Sequence, residues 1–189
     1  IIYLKNNIDI NKINKKDINF ENSFFTSMYI KYALNFDNAI EKFKDLCDVK
    51  ANILNVTNGK NLYLCGIDSQ NNFISNEEKI TNGNFKNKIK EIFLIKKKIQ
   101  TKDIINNLKN LEKYLKKISF YPKMNMNVKI ALIKSDIILY GSGTQFSSLF
   151  PSYITRGLFE SLVRSKAKKF FISNIVYDKD IKNLKFEEI

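Results

Sequence analysis

The residues best suited to chemistry in this chain lie between Asp136 and Tyr153. An apolar run, Ile137-Ile138-Leu139-Tyr140, stops at Gly141-Ser142-Gly143-Thr144, and Gln145-Phe146-Ser147-Ser148-Leu149-Phe150-Pro151-Ser152 follows. Two of the six glycines and one of the two prolines fall here. An apolar run ending at two glycines and a row of hydroxyls predicts a buried strand, a tight loop and a helix start. Successive backbone N–H groups converge in such a loop, so the ligand it suits is an anion, above all a phosphate. The spacing is neither a GxGxxG fingerprint nor a Walker loop, since no third glycine and no Gly-Lys-Ser/Thr completes it.

The residues that follow must position this loop. Thr155-Arg156-Gly157-Leu158 leads into Phe159 to Ser165, an amphipathic helix with Leu158, Leu162 and Val163 on its apolar side. Phe170-Phe171-Ile172 reads as a second buried strand ending at Ser173-Asn174. Strand, loop, helix and strand make a βαβ crossover, and ligands of open α/β sheets bind beyond the carboxyl ends of the strands. The glycine loop and Asn174 are therefore predicted to face one crevice, with the N–H groups of residues 143 to 146 turned toward it. In this reading Gly141 and Gly143 admit the ligand to the backbone, Ser142 completes the loop, and Thr144, Ser147 and Ser148 donate hydroxyl hydrogen bonds. Asn174 orients the ligand, and Arg156, one of only two arginines, is an anion contact. Arg164 reads as a solvated helix residue and Asp136 as a turn residue ahead of its strand.

The run from Ser135 to Asn174 resembles the C-terminal signature of the CofD-like family, which includes 2-phospho-L-lactate transferases and YvcK-type gluconeogenesis factors. The positions that carry the resemblance are Asp136, Gly141, Gly143, Thr144, Phe146, Ser147, Ser148, Pro151, Gly157 and Asn174. Upstream, Phe20 to Ser27 resembles the family's Gly-Asn element and Asn35 to Ile40 its Asp-Phe-x-x-Ala-Ile helix start. Departures are Glu21 for Gly, Ser142 for Pro, Ser152 for Asn, and the run Ile175 to Ile181 for the family's Met-Thr-Gln-Pro-Gly-Glu-Thr. The resemblance implies an α/β fold: a three-layer, Rossmann-like, mainly parallel sheet with a small antiparallel insertion at 51–80. It implies a nucleotide, nucleotide-sugar or phosphorylated small metabolite as ligand, with Asn22 reaching the crevice from its other side. Two activities follow from it. One is transfer of a phospholactate- or phosphoenolpyruvate-derived group, with Mg²⁺ neutralising phosphate charge; the other is UDP-sugar binding without chemistry, as in YvcK-type regulators. A cytoplasmic location and a homodimer belong to the same expectations. The family's opening Gly-Gly-Gly-Thr-Gly loop has no counterpart before Gly59, so residues 1–189 are expected to be a fragment of a single CofD-like domain that lacks this loop and is inactive alone.

Composition narrows the alternatives. With no histidine, Ser-His-Asp and Cys-His catalysis and the usual zinc sites are excluded from this chain. The net charge of +13 rests on lysine spread along the whole length, with two arginines among 32 basic residues. A polyanion binder clusters Arg with aromatics, so nucleic acid is not an expected partner. Cys47 and Cys65 lack CxxC spacing and read as buried reduced thiols. No apolar run reaches membrane-spanning length.

The remaining elements form the frame. Residues 1–20 alternate Ile with polar residues, a pattern compatible with a strand pair or a loose edge. Helices are predicted from Ser23 to Leu34 and, capped by Asp37, from Asn38 to Cys47. Ile53 to Thr57 and Asn61 to Cys65 flank Asn58-Gly59, a hairpin signal; Phe73-Ile74 and Glu77 to Ile80 read as further strands, so that Glu77 and Glu78 point to opposite faces. Ile89 to Ile95 is predicted as a core strand, Thr101 to Ile118 as one helix with Ile104, Ile105, Leu108, Leu111, Leu115 and Ile118 inward, and Val128 to Lys134 as another helix. A helix start is expected at Phe186 to Ile189.

Overall fold

The computed structural model describes residues 20–57, 59, 61–83, 86–175, 179–181 and 184, with no side-chain description for 20–22. The expectations for residues 1–19, for Asn58 and for Phe186 to Ile189 lie outside the described residues. The chain separates into two compact units, Ile1–Asn55 and Val56–Ile189.

In the first unit, helix α1 (Phe20–Lys31) turns back into α2 (Phe36–Leu46). The reversal places Ala33 and Leu34 at φ of 53° and 60°. Phenylalanine edges hold the pair: Phe24 and Phe25 meet Phe43 at ring distances of 5.8 and 6.3 Å, and Phe25 meets Phe36 at 5.2 Å. The cap of α2 is Asn35, whose side chain accepts from the Asn38 N–H at 3.0 Å, and not the expected Asp37, which lies within the first turn. Cys47 follows the helix and is exposed, against the expectation of a buried thiol; Cys65 is buried, and neither is in a disulfide.

The second unit holds β1 (Tyr63–Asp68), β2 (Phe73–Ile74), α3 (Glu77–Asn82), β3 (Ile89–Ile95), α4 (Thr101–Asn107), α5 (Leu111–Ile118), α6 (Met126–Lys134), β4 (Ile137–Tyr140), α7 (Phe150–Tyr153), α8 (Leu158–Arg164) and β5 (Lys168–Phe171). The fold is mixed α/β. Its larger sheet, ordered β2-β1-β3, is antiparallel throughout, where a mainly parallel sheet was expected. The four residues Ser69 to Asn72 joining β1 to β2 are too few for a parallel crossover. The parallel part is the pair β4–β5, with Leu139 beside Phe170.

Alternation along β1 and β3 feeds two cores. Cys65, Ile67, Phe93 and Ile95 pack with Leu111 and Leu115 of α5 on one face, and Ile92 joins Ile74, Ile80 and Ile89 on the other, backed by Phe146, Phe150 and Ile154. Gly66 is required where the strands meet, since a Cβ there would lie 3.0 Å from the Glu91 carbonyl oxygen.

Four expectations about elements are corrected. Residues 53–57 form no strand with 61–65; Thr57 bridges Met124 instead, and the Val56 carbonyl accepts from the Asn125 N–H. Glu77 and Glu78 lie in the first turn of a helix capped by Asn76, which accepts from the Lys79 N–H at 2.9 Å. The helix predicted over 101–118 breaks at Leu108–Asn110, leaving Ile105 and Leu108 exposed. Here Asn107 turns its amide onto the Asp103 carbonyl at 2.7 Å, a side-chain alternative to the helical ladder. Finally, β4 buries only Ile138, and β5 is exposed along its length.

Candidate phosphate loop and an adjoining cavity

The crossover β4–α8–β5 is present, and it brings the two predicted strand ends together. Gly141 follows β4, Asn174 lies just past β5, and the Asn174 Nδ2 donates to the Gly143 carbonyl at 3.2 Å. The Asp136 carbonyl accepts the Lys168 N–H at 2.9 Å and starts the parallel ladder. Neither Gly141 nor Gly143 takes a positive φ, unlike Gly157 at 89°. Their contribution is open space. A Cβ at Gly141 would meet nothing within 4 Å, whereas one at Gly143 would touch the Leu149 side chain from 3.4 Å.

Past the glycines the backbone makes one wide π-helical turn, Gln145–Leu149, before α7. Such turns concentrate at functional sites. The Thr144 hydroxyl shares hydrogen bonds of 2.6 Å with both the Ser147 and the Ser148 hydroxyls. Ser147 is buried, while Ser148 and Ser142 are exposed. Among the described residues, no acceptor meets the N–H groups of Gly141, Ser142, Gly143 or Thr144. The loop thus presents backbone donors and two accessible hydroxyls at the carboxyl end of a parallel strand pair.

The N–H of Phe146, expected to face the crevice, points elsewhere. Asp180 is 2 % exposed, and its Oδ2 accepts from the Phe146 N–H at 2.9 Å and the Ser147 N–H at 3.3 Å. The turn's first N–H groups are therefore taken by a carboxyl group of its own chain. Sequence reasoning missed Asp180; the signal was an acidic residue in the run Ile175 to Ile181 that departs from the family pattern.

Arg156 goes to a different place from the loop glycines and Asn174. Its backbone N–H donates to the Pro122 carbonyl at 2.9 Å and its carbonyl accepts from the Met124 N–H at 3.1 Å. Its side chain lines a cavity of about 410 Å³ with Ile92, Tyr121, Phe146 and Phe150. Asn22 is on α1 of the first unit, with its side chain outside the described residues.

The electrostatics around this frame are structural. Burial would raise the Asp68 pKa, but hydrogen bonds from the Asn72 and Asn87 side chains and from the Asn72 and Gln70 N–H groups outweigh it and hold the carboxyl below its usual value. Glu112 is held down to about 2 by hydrogen bonds from Lys116 and Lys90. Burial pushes the Cys65 thiol up to about 12, so it is no nucleophile at neutral pH. Among the described residues, no three His, Cys, Asp or Glu side chains cluster as metal ligands, and no helix is long and apolar enough to cross a membrane.

This order of strand, loop, helix and strand lies within residues 12–187, which the family model described as 2-phospho-L-lactate transferase CofD matches. The chain belongs to the CofD family. Two solved structures of the protein BH3568 from Bacillus halodurans, one of them described as a member of the UPF0052 family, share its fold. They superpose with TM-scores of 0.61 and 0.60 at 22% identity in each case, over 83% and 82% of this chain. The chain spans 42% and 41% of the length of those structures. Among curated proteins, none matches it.

Proposed function

We propose that this chain forms part of a protein that binds a nucleotide-linked or phosphorylated small metabolite and transfers a phospholactate- or phosphoenolpyruvate-type group, in the manner of a 2-phospho-L-lactate transferase. Membership of the CofD family supports the reaction class. The observation that carries the reading is the hydrogen bond from Asn174 to Gly143, which joins both strand ends in one place. In this reading the N–H groups of Gly141 to Thr144 cradle a phosphate, with the Ser142 side chain at the loop surface. Thr144 and Ser148 add hydroxyl donors, Ser147 holds Thr144 in place, and Asn174 orients the reacting group. Phosphoryl-type transfer depends mainly on such positioning and charge complementarity, and calls for no histidine. Mg²⁺ enters through the resemblance and would come with the phosphate; the described residues build no three-ligand cluster for it, so binding and orientation are this chain's part.

In the whole protein we place β4 and β5 within a longer, Rossmann-like three-layer sheet. Ile137, Leu139 and Phe170, on one face of the pair, are 57%, 61% and 50% exposed, an apolar surface suited to a covering layer. A cytoplasmic location belongs to the same proposal.

Asn174→Ala separates this reading from its rival. Assayed in the whole protein with nucleotide-sugars and phosphoenolpyruvate, a transferase variant loses turnover more than affinity, because the side chain orients the reacting group. If every ligand is returned intact and only affinity changes, the protein is a UDP-sugar-binding regulator of the YvcK type. If neither affinity nor turnover changes, Asn174 has no part in the site.

A further inference from the structure

The cavity lined by Arg156 shares only Phe146 with the loop segment, and its chemistry is different. Ile92 of β3, Tyr121 and Arg156 line it, together with a wall formed by a stacked pair, Phe146 and Phe150, with ring centroids 5.0 Å apart and planes 10° from parallel. About 410 Å³ falls within the usual range for small-molecule sites, and a mostly apolar lining with few polar groups is their usual composition.

Charge singles out Arg156. Lys90 also lines the cavity, but its ammonium is 2.5 Å from Glu112; Glu91 lines it too, and pairs with Lys116 at 3.2 Å. Among the described residues, Arg156 has no carboxylate partner, so the lining carries one uncompensated positive charge. The guanidinium is planar, permanently charged and arranged as a fork of donors that fits a carboxylate or a phosphate. Its starting point is fixed, because the Arg156 backbone is pinned to Pro122 and Met124 and is followed by the left-handed Gly157. The wall is fixed as well: Asp180 holds the Phe146 N–H at 2.9 Å.

We propose that this cavity is a second binding site, for a small organic anion with a flat apolar body, in which Arg156 takes the carboxylate or phosphate and Phe146 and Phe150 pack against the body. The site adjoins the phosphate loop at Phe146 and does not rest on the function proposed for that loop.

Phenyl phosphate is the test probe, with benzyl alcohol lacking the anion and inorganic phosphate lacking the ring, each titrated into the chain by calorimetry. The expected result is saturable binding of phenyl phosphate that is at least about tenfold tighter than either control, since each lacks one of the two contacts. Arg156→Gln and Phe150→Leu should each weaken it by about tenfold with circular dichroism unchanged. The proposal is overturned if phenyl phosphate does not saturate, if either control binds equally well, or if Arg156→Gln has no effect. Binding lost in Ser148→Ala but kept in Arg156→Gln also overturns it, by placing the anion on the loop. Because Phe150→Leu could loosen the core that Phe150 supports, Arg156→Gln, which lies outside that core, is the deciding variant.

Discussion

Asp180 and Asn174 hold the candidate loop from two sides, one through N–H groups and the other through a carbonyl. The two contacts differ in what their loss does. Asp180→Ala leaves two N–H groups in a buried place without their charged acceptor, and should lower stability by about 2–3 kcal/mol, whereas Asp180→Asn keeps an acceptor and should cost less. Denaturant titration checks the order of the two variants. At Gly157 the constraint is backbone handedness: with φ of 89°, an added Cβ is strained although its nearest neighbour would be Met124 Cε at a comfortable 3.8 Å. Gly157→Ala should cost about 1–2 kcal/mol, and a change near zero would mean that the turn before α8 relaxes freely. Glycine at this position was visible in the sequence through the family resemblance; its physical reason was not.

The elements of the crossover were legible because they follow local rules. An apolar run before Gly141, a helical period from Leu158 and a second apolar run at Phe170 each declared their type, and β4, α8 and β5 stand within a few residues of the expected places. The hairpin at Asn58-Gly59 misled for a reason of the same kind: a turn signal says nothing about whether its flanks find each other, and β1 has better partners in β2 and β3. The break in the helix over 101–118 was hidden because the apolar spacing continued through it, while Asn107 and Asn110 left helical geometry. The turn after β1 was missed because its organiser, Asp68, sits at the end of a strand and gathers four hydrogen bonds from Gln70, Asn72 and Asn87. Its folded-state pKa lies below the ordinary 3.8, so its contribution to stability is complete above that value and is lost as pH falls through the folded one. Acid unfolding of the wild type should therefore steepen below that range and flatten in Asp68→Asn; parallel curves would show that the turn does not couple to protonation.

At the scale of the molecule, two surface properties stand out. Ile137, Leu139 and Phe170 share one face of the parallel pair, and Ile172 beyond it is 50% exposed. Sequence reading assigned these residues to the interior because their apolarity is that of buried strands. A chain with this face open should self-associate in sedimentation experiments, in keeping with the expected homodimer, and Leu139→Lys with Phe170→Lys should shift it toward monomer; an unchanged distribution would place the contact elsewhere. The charge of +13 is the other property. With lysine spread along the sequence and arginine confined to two positions, DNA affinity should be weak at physiological salt, and a salt dependence worth several phosphates would contradict that expectation.

The central claim is that the loop from Gly141 to Ser148, joined to Asn174, receives phosphate, and calorimetric titration of the intact protein, wild type and Gly143→Val, with phosphoenolpyruvate and a nucleotide-sugar tests it most directly. The added side chain would press on Leu149 and obstruct approach to the loop backbone. The account predicts saturable binding of at least one ligand to the wild type and its loss in Gly143→Val, with Ser148→Ala weaker by about 1.5–3 kcal/mol, the value of a hydrogen bond to a charged group. Equal binding by all three proteins would contradict it.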